Sequence, residues 1–506
     1  MSPALIKELA EIVGKAHVSC ARDDLYIAGR DIWPRTMILM QRHSAFPEPE
    51  VVVWPGSTEE VRAVVNLASE NGISLIPLGA GSGVCGGTMA LKRGIILDLK
   101  RMNHILNIDE ESNLVTAEAG IIGEIFERKL NQQGYTMGHF PSSMYCSSLG
   151  GWLATRSAGQ LSSRYGKIED MAVSLEAVLS DGRVLRTKPT PRSATGPDWN
   201  HVLIGSEGTL GIITQATLKL WRYPASRRFL AFRFPQVKSG LSAIREIMQE
   251  ELRPAAVRLY DPVDTLFSSS GTLEEKKSRP KKKSGIRDNL GNIPRMLFPY
   301  LFYPGPVNRV LRIPRTCKLV LTFEGDPEIT EVEHDLAREI CRSAGGEDMG
   351  EGPARHWWNK RYRVSYFMST AFDLGFFVDT IEVATVWDNL ERLYQGIQSA
   401  ISPHAFVMAH FSHAYPQGCS IYYSITATGK SEQDAIARYD RIWDAALSAC
   451  VKYGGTITHH HGVGLLKAKW LSKEQGGTNP MLAGLKQVMD PKGIMNPGKL
   501  GLSKGD

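Results

Sequence analysis

Two apolar runs, "SLIPL" (74–78) and "GIILDL" (94–99), are joined by "GAGSGVCGGTMALKR", and this connector limits the fold more than any other stretch. Gly81-Ser-Gly83-Val-Cys-Gly86 satisfies G-x-G-x-x-G directly after an expected strand. A nicotinamide-binding Rossmann arrangement needs a helix to open at such a loop, because the helix N-terminus holds the pyrophosphate. Only "TMALKR" separates Gly87 from the next strand, short of the roughly dozen residues that a crossover helix takes. The pattern therefore argues against a Rossmann site. Clustered glycines keep another use open, a row of backbone N–H groups forming an anion nest for a diphosphate. A plain glycine-rich turn is the simpler alternative.

The flanks of that loop read as short strands and helices. Val51 to Trp54 is a β-branched run that stops at Pro55 and Gly56, and Ser57 with Glu60 supplies a capping box for the next helix. Apolar Val61, Val64, Val65 and Ala68 give that helix one buried stripe. "NLVTAEAG" and "AVSLEAVLSDGRVLRT" add further strands, so the fold class here is α+β. At 506 residues the chain exceeds one ordinary core. Four segments are expected: a helical start (1–45), a first domain (46–224), a second (225–450) and a closing segment (451–506). Within the second, residues 274–315 break all periodicity. Lys276, Lys277, Arg279, Lys281, Lys282 and Lys283 there precede "RMLFPYLFYPG".

The net charge of +6 tolerates anionic ligands without marking a nucleic-acid binder. Seven scattered cysteines with no C-x-x-C point to free thiols in a reducing compartment. The N-terminus is an amphipathic helix rather than a signal peptide, and no run approaches the ~20 apolar residues of a spanning helix. A cytoplasmic protein is expected. The 274–315 insert reads either as a peripheral membrane contact, with lysines on lipid phosphates and aromatics at the interface, or as a solvated loop.

"PLGAGSGVCGG" is followed, in order, by "GHFPSSMYCSSLGGWLATRSAG", "RYGKIEDMAVSLEAVLSDGRV" and "TGPDWNHVLIGSEGTLGIIT". Together these resemble the FAD-binding domain of the vanillyl-alcohol oxidase and p-cresol methylhydroxylase superfamily. The resemblance implies a two-part FAD-binding domain with an inserted α+β substrate-cap domain, and FAD as cofactor. It also implies that Pro77, Leu78, Gly79, Ala80, Gly81, Ser82 and Gly83 wrap the pyrophosphate. The rest of the dinucleotide and the ring would fall to Ser142, Ser143, Met144, Ser147 and Ser148, then Thr155, Arg156, Ser157 and Ala158. Glu207, Gly208, Thr209, Leu210, Gly211, Ile212 and Ile213 complete that set. Small residues suit close backbone approach. Arg156 is the cation to offset the diphosphate, or else a surface salt bridge.

"RPAAVRLYD" (253–261), "MAHFSHAYPQGCSIYYS" (408–424) and "THHHGVGLLKAKW" (458–470) resemble the alkyldihydroxyacetonephosphate synthase family. That family exchanges the acyl chain of acyl-dihydroxyacetone phosphate for a fatty alcohol in ether-lipid synthesis, holding the substrate carbon on the flavin meanwhile. The resemblance implies Tyr422 as catalytic tyrosine, His459, His460 and His461 as the histidine triplet, and Arg258 as an activity-critical arginine. The base for an α-proton would be Tyr422, or a histidine, with a pKa lowered by neighbouring cations. If 459–461 are extended, His459 and His461 share a face and His460 opposes them. Flavin dehydrogenases of D-2-hydroxy acids use zinc at positions matching His410, Tyr422 and His460, a poor ligand set, so no metal is expected.

One position departs from the synthase pattern. In "SYFMSTAFDLGFFVDTIEVATVWDNL", Met368 stands where the family has a substrate-binding arginine, and a methionine does not pair with phosphate. Either Arg361, Arg363 or Arg258 supplies the charge, or the substrate is another. Three readings stay open: a synthase-like exchange, an FAD-linked oxidoreductase of an alcohol or D-2-hydroxy acid, and a non-catalytic, membrane-associated flavin-binding partner. The substrate is expected to be a small molecule, lipid-like or a 2-hydroxy acid. No nucleic acid is expected as partner, and a homodimer is the expected assembly.

Overall fold

The computed structural model describes residues 1–41, 47–274, 316–362, 368–373, 375–476 and 479–502. These divide into two compact units, Met1–Tyr223 with Thr458–Asp506, and Pro224–Ile457. The helical start clusters with the first unit rather than standing apart, and residues 451–457 fall in the second. Most of the basic and aromatic insert, 275–315, lies outside the described residues, as does Arg363. No described helix is long and apolar enough to cross a membrane.

In the first unit the strand Ser74–Leu78 runs parallel to Gly94–Asp98, with Val51–Val53 beyond it and Val18–Ser19 antiparallel at the edge. Gly94–Asp98 is buried along its whole length, which is why it reads as a continuous apolar run. Residues 79–93 join the two parallel strands through turns and bends, with no crossover helix. The helix Thr58–Asn71 starts where Ser57 Oγ accepts from Glu60 N (3.2 Å), and Glu60 Oε2 accepts from Gly56 N (2.7 Å). Val61, Val64, Val65 and Ala68 are all buried, as the stripe requires, and Gly72 (φ +64°) closes the helix. A second, antiparallel sheet has the order Ile105–Asp109, Leu114–Glu118, Ile212–Lys219, Ala172–Val178, Val184–Arg186. The closing segment returns to the glycine-loop strand: Leu75 N donates to Ile494 O and Asn496 N to Leu75 O, both at 2.8 Å.

The second unit is built on one seven-stranded antiparallel sheet. Its order is Glu347–Asp348, Ser226–Phe234, Cys317–Gly325, Ala256–Tyr260, Phe406–Tyr415, Gly418–Thr428, Phe376–Val386. Successive side chains of a strand alternate between faces. Ile421, Tyr423, Ile425 and Ala427 therefore share one face and are fully buried, while Tyr422, Ser424 and Thr426 look the other way. The helices Val237–Gln249, Leu390–Ile401 and Glu432–Lys452 pack on this sheet with apolar stripes. Removing each aliphatic side chain from water contributes about 1.5–3 kcal/mol. Asp379 is buried among them, accepting from Tyr439 Oη (2.6 Å) and Trp443 Nε1 (2.9 Å). The opposite face is mixed: Ala354 and Trp358 of the helix Gly352–Lys360 pack there with Phe229, Ala231 and Val320, beside the polar row that includes His410 and Tyr422.

Candidate active site

Around the glycine loop of the first unit, backbone comes first. Gly81 has φ +66°, the left-handed region, and a Cβ at Gly79 would run into Ser148 Oγ. Ser148 caps the helix Leu149–Thr155, its Oγ accepting from Gly151 N at 3.3 Å. The N–H groups of Ala80, Gly81, Ser82 and Gly83 meet no acceptor among the described residues. That is the donor row of an anion nest. Asp31 braces the loop from behind, accepting from Trp33 N (3.2 Å) and Gly87 N (3.0 Å). Burial raises its pKa to about 7, against those N–H groups and the charge of Lys499.

Glu207 ties this loop to two other segments. It has φ +51° and is buried, and its carboxylate accepts from Val463 N (2.6 Å) and Gly464 N (2.8 Å). Burial pushes its pKa up, while these two bonds and the charges of Lys499 and Lys467 pull it down. Lys499 donates to Met89 O (2.7 Å), and burial lowers its pKa to about 8. Asn496 Nδ2 donates to Gly87 O (3.0 Å) and Glu207 O (2.7 Å). A Cβ at Gly462 would lie 2.8 Å from Glu207 Oε1 and 3.5 Å from Thr155 Cβ, and one at Gly208 would strike Pro77. Pro77–Gly83, Ser148, Thr155, Glu207–Gly208 and 462–464 are thus brought together.

The other expected flavin residues are placed as follows. Arg156 (φ +54°) ends the helix Leu149–Thr155, with Nε 3.4 Å from Glu169 Oε1, so a surface ion pair is the contact this side chain makes. Lys167 pairs with the same carboxylate (3.0 Å) and donates to His459 O (2.6 Å). Ser147 Oγ accepts from Trp152 Nε1 (2.7 Å), and exposed Ser142 Oγ accepts from Gln160 Nε2 (3.2 Å). Ser143 precedes the turn Met144–Cys146. Met144, Ser157, Ala158, Thr209, Leu210, Ile212 and Ile213 are buried, and Gly211 passes close to Val178 O. His459, His460 and His461 form bends rather than an extended run. Successive rings stand 5.2 and 4.5 Å apart, and His459 Nδ1 lies 3.0 Å from His460 Nδ1. The alternation expected of an extended triplet is absent. Sequence reasoning missed Asp31, Lys499, Asn496 and His139. His139 is fully buried against Trp152 (4.6 Å), with neither ring nitrogen hydrogen-bonded among the described residues, and burial lowers its pKa to about 3.

The second unit presents a row across its sheet. Arg233, Lys318, Tyr260, His410, Tyr422 and Glu382 stand directly opposite one another, strand to strand, and so share a face. His410 stacks on Tyr422 with centroids 4.9 Å apart and 26° between planes. Arg258, two residues before Tyr260, places Nη2 3.1 Å from His410 Nδ1 and Cζ 5.2 Å from the Tyr260 ring. Asp264 Oδ2 is 3.3 Å from the same His410 nitrogen. Burial first, then Arg258, lowers His410 to about 4 despite Asp264, so the ring is neutral near pH 7. Burial raises Tyr422 to about 12, against a hydrogen bond with Thr380 and the charge of Arg258. The expectation of a tyrosine with a lowered pKa is overturned, because the cost of desolvating a phenolate exceeds the help of one guanidinium. Met368 opens the helix Met368–Asp373, and Arg361 stacks on Trp358 (3.9 Å). Among the described residues no group of three or more His, Cys, Asp or Glu could hold a metal ion.

Two family patterns cover most of the chain: the FAD binding domain matches residues 49–188, and the C-terminal domain of FAD linked oxidases matches 223–500. The chain belongs to the FAD-linked oxidases. An alkyldihydroxyacetonephosphate synthase of Dictyostelium discoideum is 33% identical over 89% of this chain and 73% of its own length. An uncharacterized FAD-linked oxidoreductase of Escherichia coli is 31% identical over 98% of both chains. A solved alkyldihydroxyacetonephosphate synthase superposes with a TM-score of 0.78 at 27% identity, over 98% of this chain and 85% of that one. This flavoenzyme is thus similar to the synthases, and it has the α+β fold seen in p-cresol methylhydroxylase. It is an FAD-dependent enzyme, which sets aside the non-catalytic flavin-binding reading.

The loop fits that cofactor. Unspent N–H donors from Ala80 to Gly83, and a Gly79 position with no room for a side chain, are what close approach to a diphosphate demands. Sequence could have flagged Asn496 and Lys499, since both lie in the Gly- and Pro-punctuated stretch "DPKGIMNPGKL" (490–500). Nothing local marks Lys318 or Asp264, because their meaning comes from strand register.

Proposed function

We propose that this FAD-linked enzyme catalyses an alkyldihydroxyacetonephosphate synthase-like exchange on a phosphate-bearing ketone. The observation that carries the reading is the row Tyr260–His410–Tyr422–Glu382, with Arg258 beside it. Bound FAD supplies the redox-active ring and its acceptor chemistry. The protein's own groups do the acid–base work. His410 is neutral near pH 7 and carries one N–H; in the tautomer whose Nδ1–H donates to Asp264 Oδ2, Nε2 holds the lone pair and is suited to take a proton. Tyr422, with its proton held by a pKa near 12, is a donor rather than a base. Arg258 supplies positive charge to an oxyanion. Pro77–Gly83, Ser148, Thr155 and Glu207–Gly208 would hold the cofactor, and His459–His461 add proton-carrying imidazoles in the first unit. A lipid-like substrate, peripheral membrane contact through the insert, a cytoplasmic location and a homodimer belong to the same proposal.

A second reading, oxidation of an alcohol or D-2-hydroxy acid, is favoured by Met368 and by the full-length match to the oxidoreductase relative. The same neutral His410 would then take the hydroxyl proton. Anaerobic titration separates the two. Loss of visible flavin absorption with acyl-dihydroxyacetone phosphate, accompanied by release of free fatty acid, is expected for the exchange. Bleaching by D-lactate or D-2-hydroxyglutarate, with no exchange of labelled fatty alcohol, selects oxidation.

A further inference from the structure

Lys318 stands directly opposite Tyr260, on the strand next to the one carrying Arg258. It is only 7% exposed, a burial at which a lysine is ordinarily paired with a carboxylate. Among the described residues no carboxylate lies within 4.0 Å of it or of Arg258. The Lys318 Nζ donates to Ser268 Oγ (2.7 Å) and lies 4.8 Å from the Tyr260 ring centre. An ammonium has three N–H donors; the hydroxyl takes one, and the ring face attracts charge without accepting a full hydrogen bond.

Arg258 is in a similar condition. Its Nη2 meets His410, its Cζ lies over the same Tyr260 ring, and its buried Nε has no acceptor among the described residues. Asp264 influences Lys318 at longer range, but its carboxylate is directed at His410 Nδ1 (3.3 Å). Two cations on one tyrosine ring, each with donors to spare, are costly for the protein alone. An anion with several oxygens would satisfy them.

We propose that Lys318 and Arg258 jointly bind the anionic group of the substrate, a phosphate or a carboxylate, and that Lys318 is a specificity-determining residue for it. The proposal rests on the reading above and deepens it. Met368 stands where the synthase family has a cation, and here the second cation comes from another strand. Tyr260 is the spacer: opposite Lys318 and two residues beyond Arg258, it sets the gap that the anion bridges.

The test uses the full-length, FAD-loaded enzyme and calorimetric titration with inorganic phosphate and, separately, with oxalate. Wild type is expected to bind one of them. Phosphate preference identifies a phosphate-bearing substrate, and oxalate preference a hydroxy acid. Lys318→Met should weaken that binding about tenfold or more, with Lys318→Arg recovering most of it and the flavin spectrum unchanged in both. With a turned-over anionic substrate, Lys318→Met should raise KM and leave kcat nearly constant. Equal binding by wild type and Lys318→Met, or binding of neither anion by wild type, overturns the proposal. Should Lys318→Met fail to fold, Lys318→Gln is read in the same way. A yellow, reactive Lys318→Met with unaltered KM sinks only the subsite, whereas wild type that refuses FAD sinks the functional reading itself.

Discussion

The two units treat buried charge in opposite ways. Behind the glycine loop, the Glu207 carboxylate receives two backbone N–H groups, Asp31 receives two more, and Lys499 donates to a carbonyl within the field of both acids. On the mixed face of the seven-stranded sheet, Arg258 and Lys318 have no carboxylate in reach among the described residues, and His410 is held neutral. Satisfied ions build architecture, because each has already exchanged water for a fixed partner. Unsatisfied ones retain capacity for something that arrives later. Under the proposed function, the contrast separates residues that shape the cofactor cradle from residues that would meet substrate.

That contrast can be broken in several ways. The largest effect is expected at Tyr422. Tyr422→Phe removes the proton donor and should lower turnover about a hundredfold to ten-thousandfold, while melting temperature and flavin content stay as in wild type. A parallel loss of flavin would place this tyrosine on the architectural side. Next comes Glu207→Ala, which strands two N–H groups and removes one of the two acids that oppose Lys499. Denaturant unfolding should register a loss of about 3–5 kcal/mol, with weakened FAD retention. If Lys318→Met cost as much stability, the two units would not differ in kind.

The smallest effect is one the units share. Burial holds the folded pKa values of His139 and His410 near 3 and near 4, below the ordinary histidine value of 6.5. Between about pH 6.5 and 4 the unfolded chain binds protons that the folded chain refuses, so stability falls as pH falls through this window. For His410 the loss levels off near pH 4, and for His139 nearer 3. Each ring contributes a slope of about 1.4 kcal/mol per pH unit. Unfolding midpoints at pH 7 and 5 should be less pH-dependent in His139→Phe than in wild type. Identical dependence would mean that water reaches the ring.

What the sequence made legible was local or ordered along the chain. The stripe at Val61, Val64, Val65 and Ala68 follows from helical periodicity, and the absent crossover helix follows from counting residues between Gly87 and Gly94. The family resemblance rested on long motifs in fixed order, which is why FAD was within reach. Three features were not. Arg156 faces Glu169, thirteen residues away in the short helix Ile168–Met171, whose placement no motif describes. The histidine bend depends on its neighbours rather than on its own residues. In the Lys318–Tyr260–His410–Tyr422 row only His410 and Tyr422 share a hairpin; the other neighbours lie on strands more than fifty residues apart, and register between distant strands is set by the packed sheet.

The pairing of Leu75 with Ile494 and Asn496 has a consequence for biogenesis. The border of the glycine-loop strand is supplied by residues more than four hundred positions further along the chain, so the cradle can be finished only after that stretch has left the ribosome. Nascent chains arrested upstream of Asp490 should emerge colourless even in excess FAD, and cofactor capture then reports that Ile494 and Asn496 have been made.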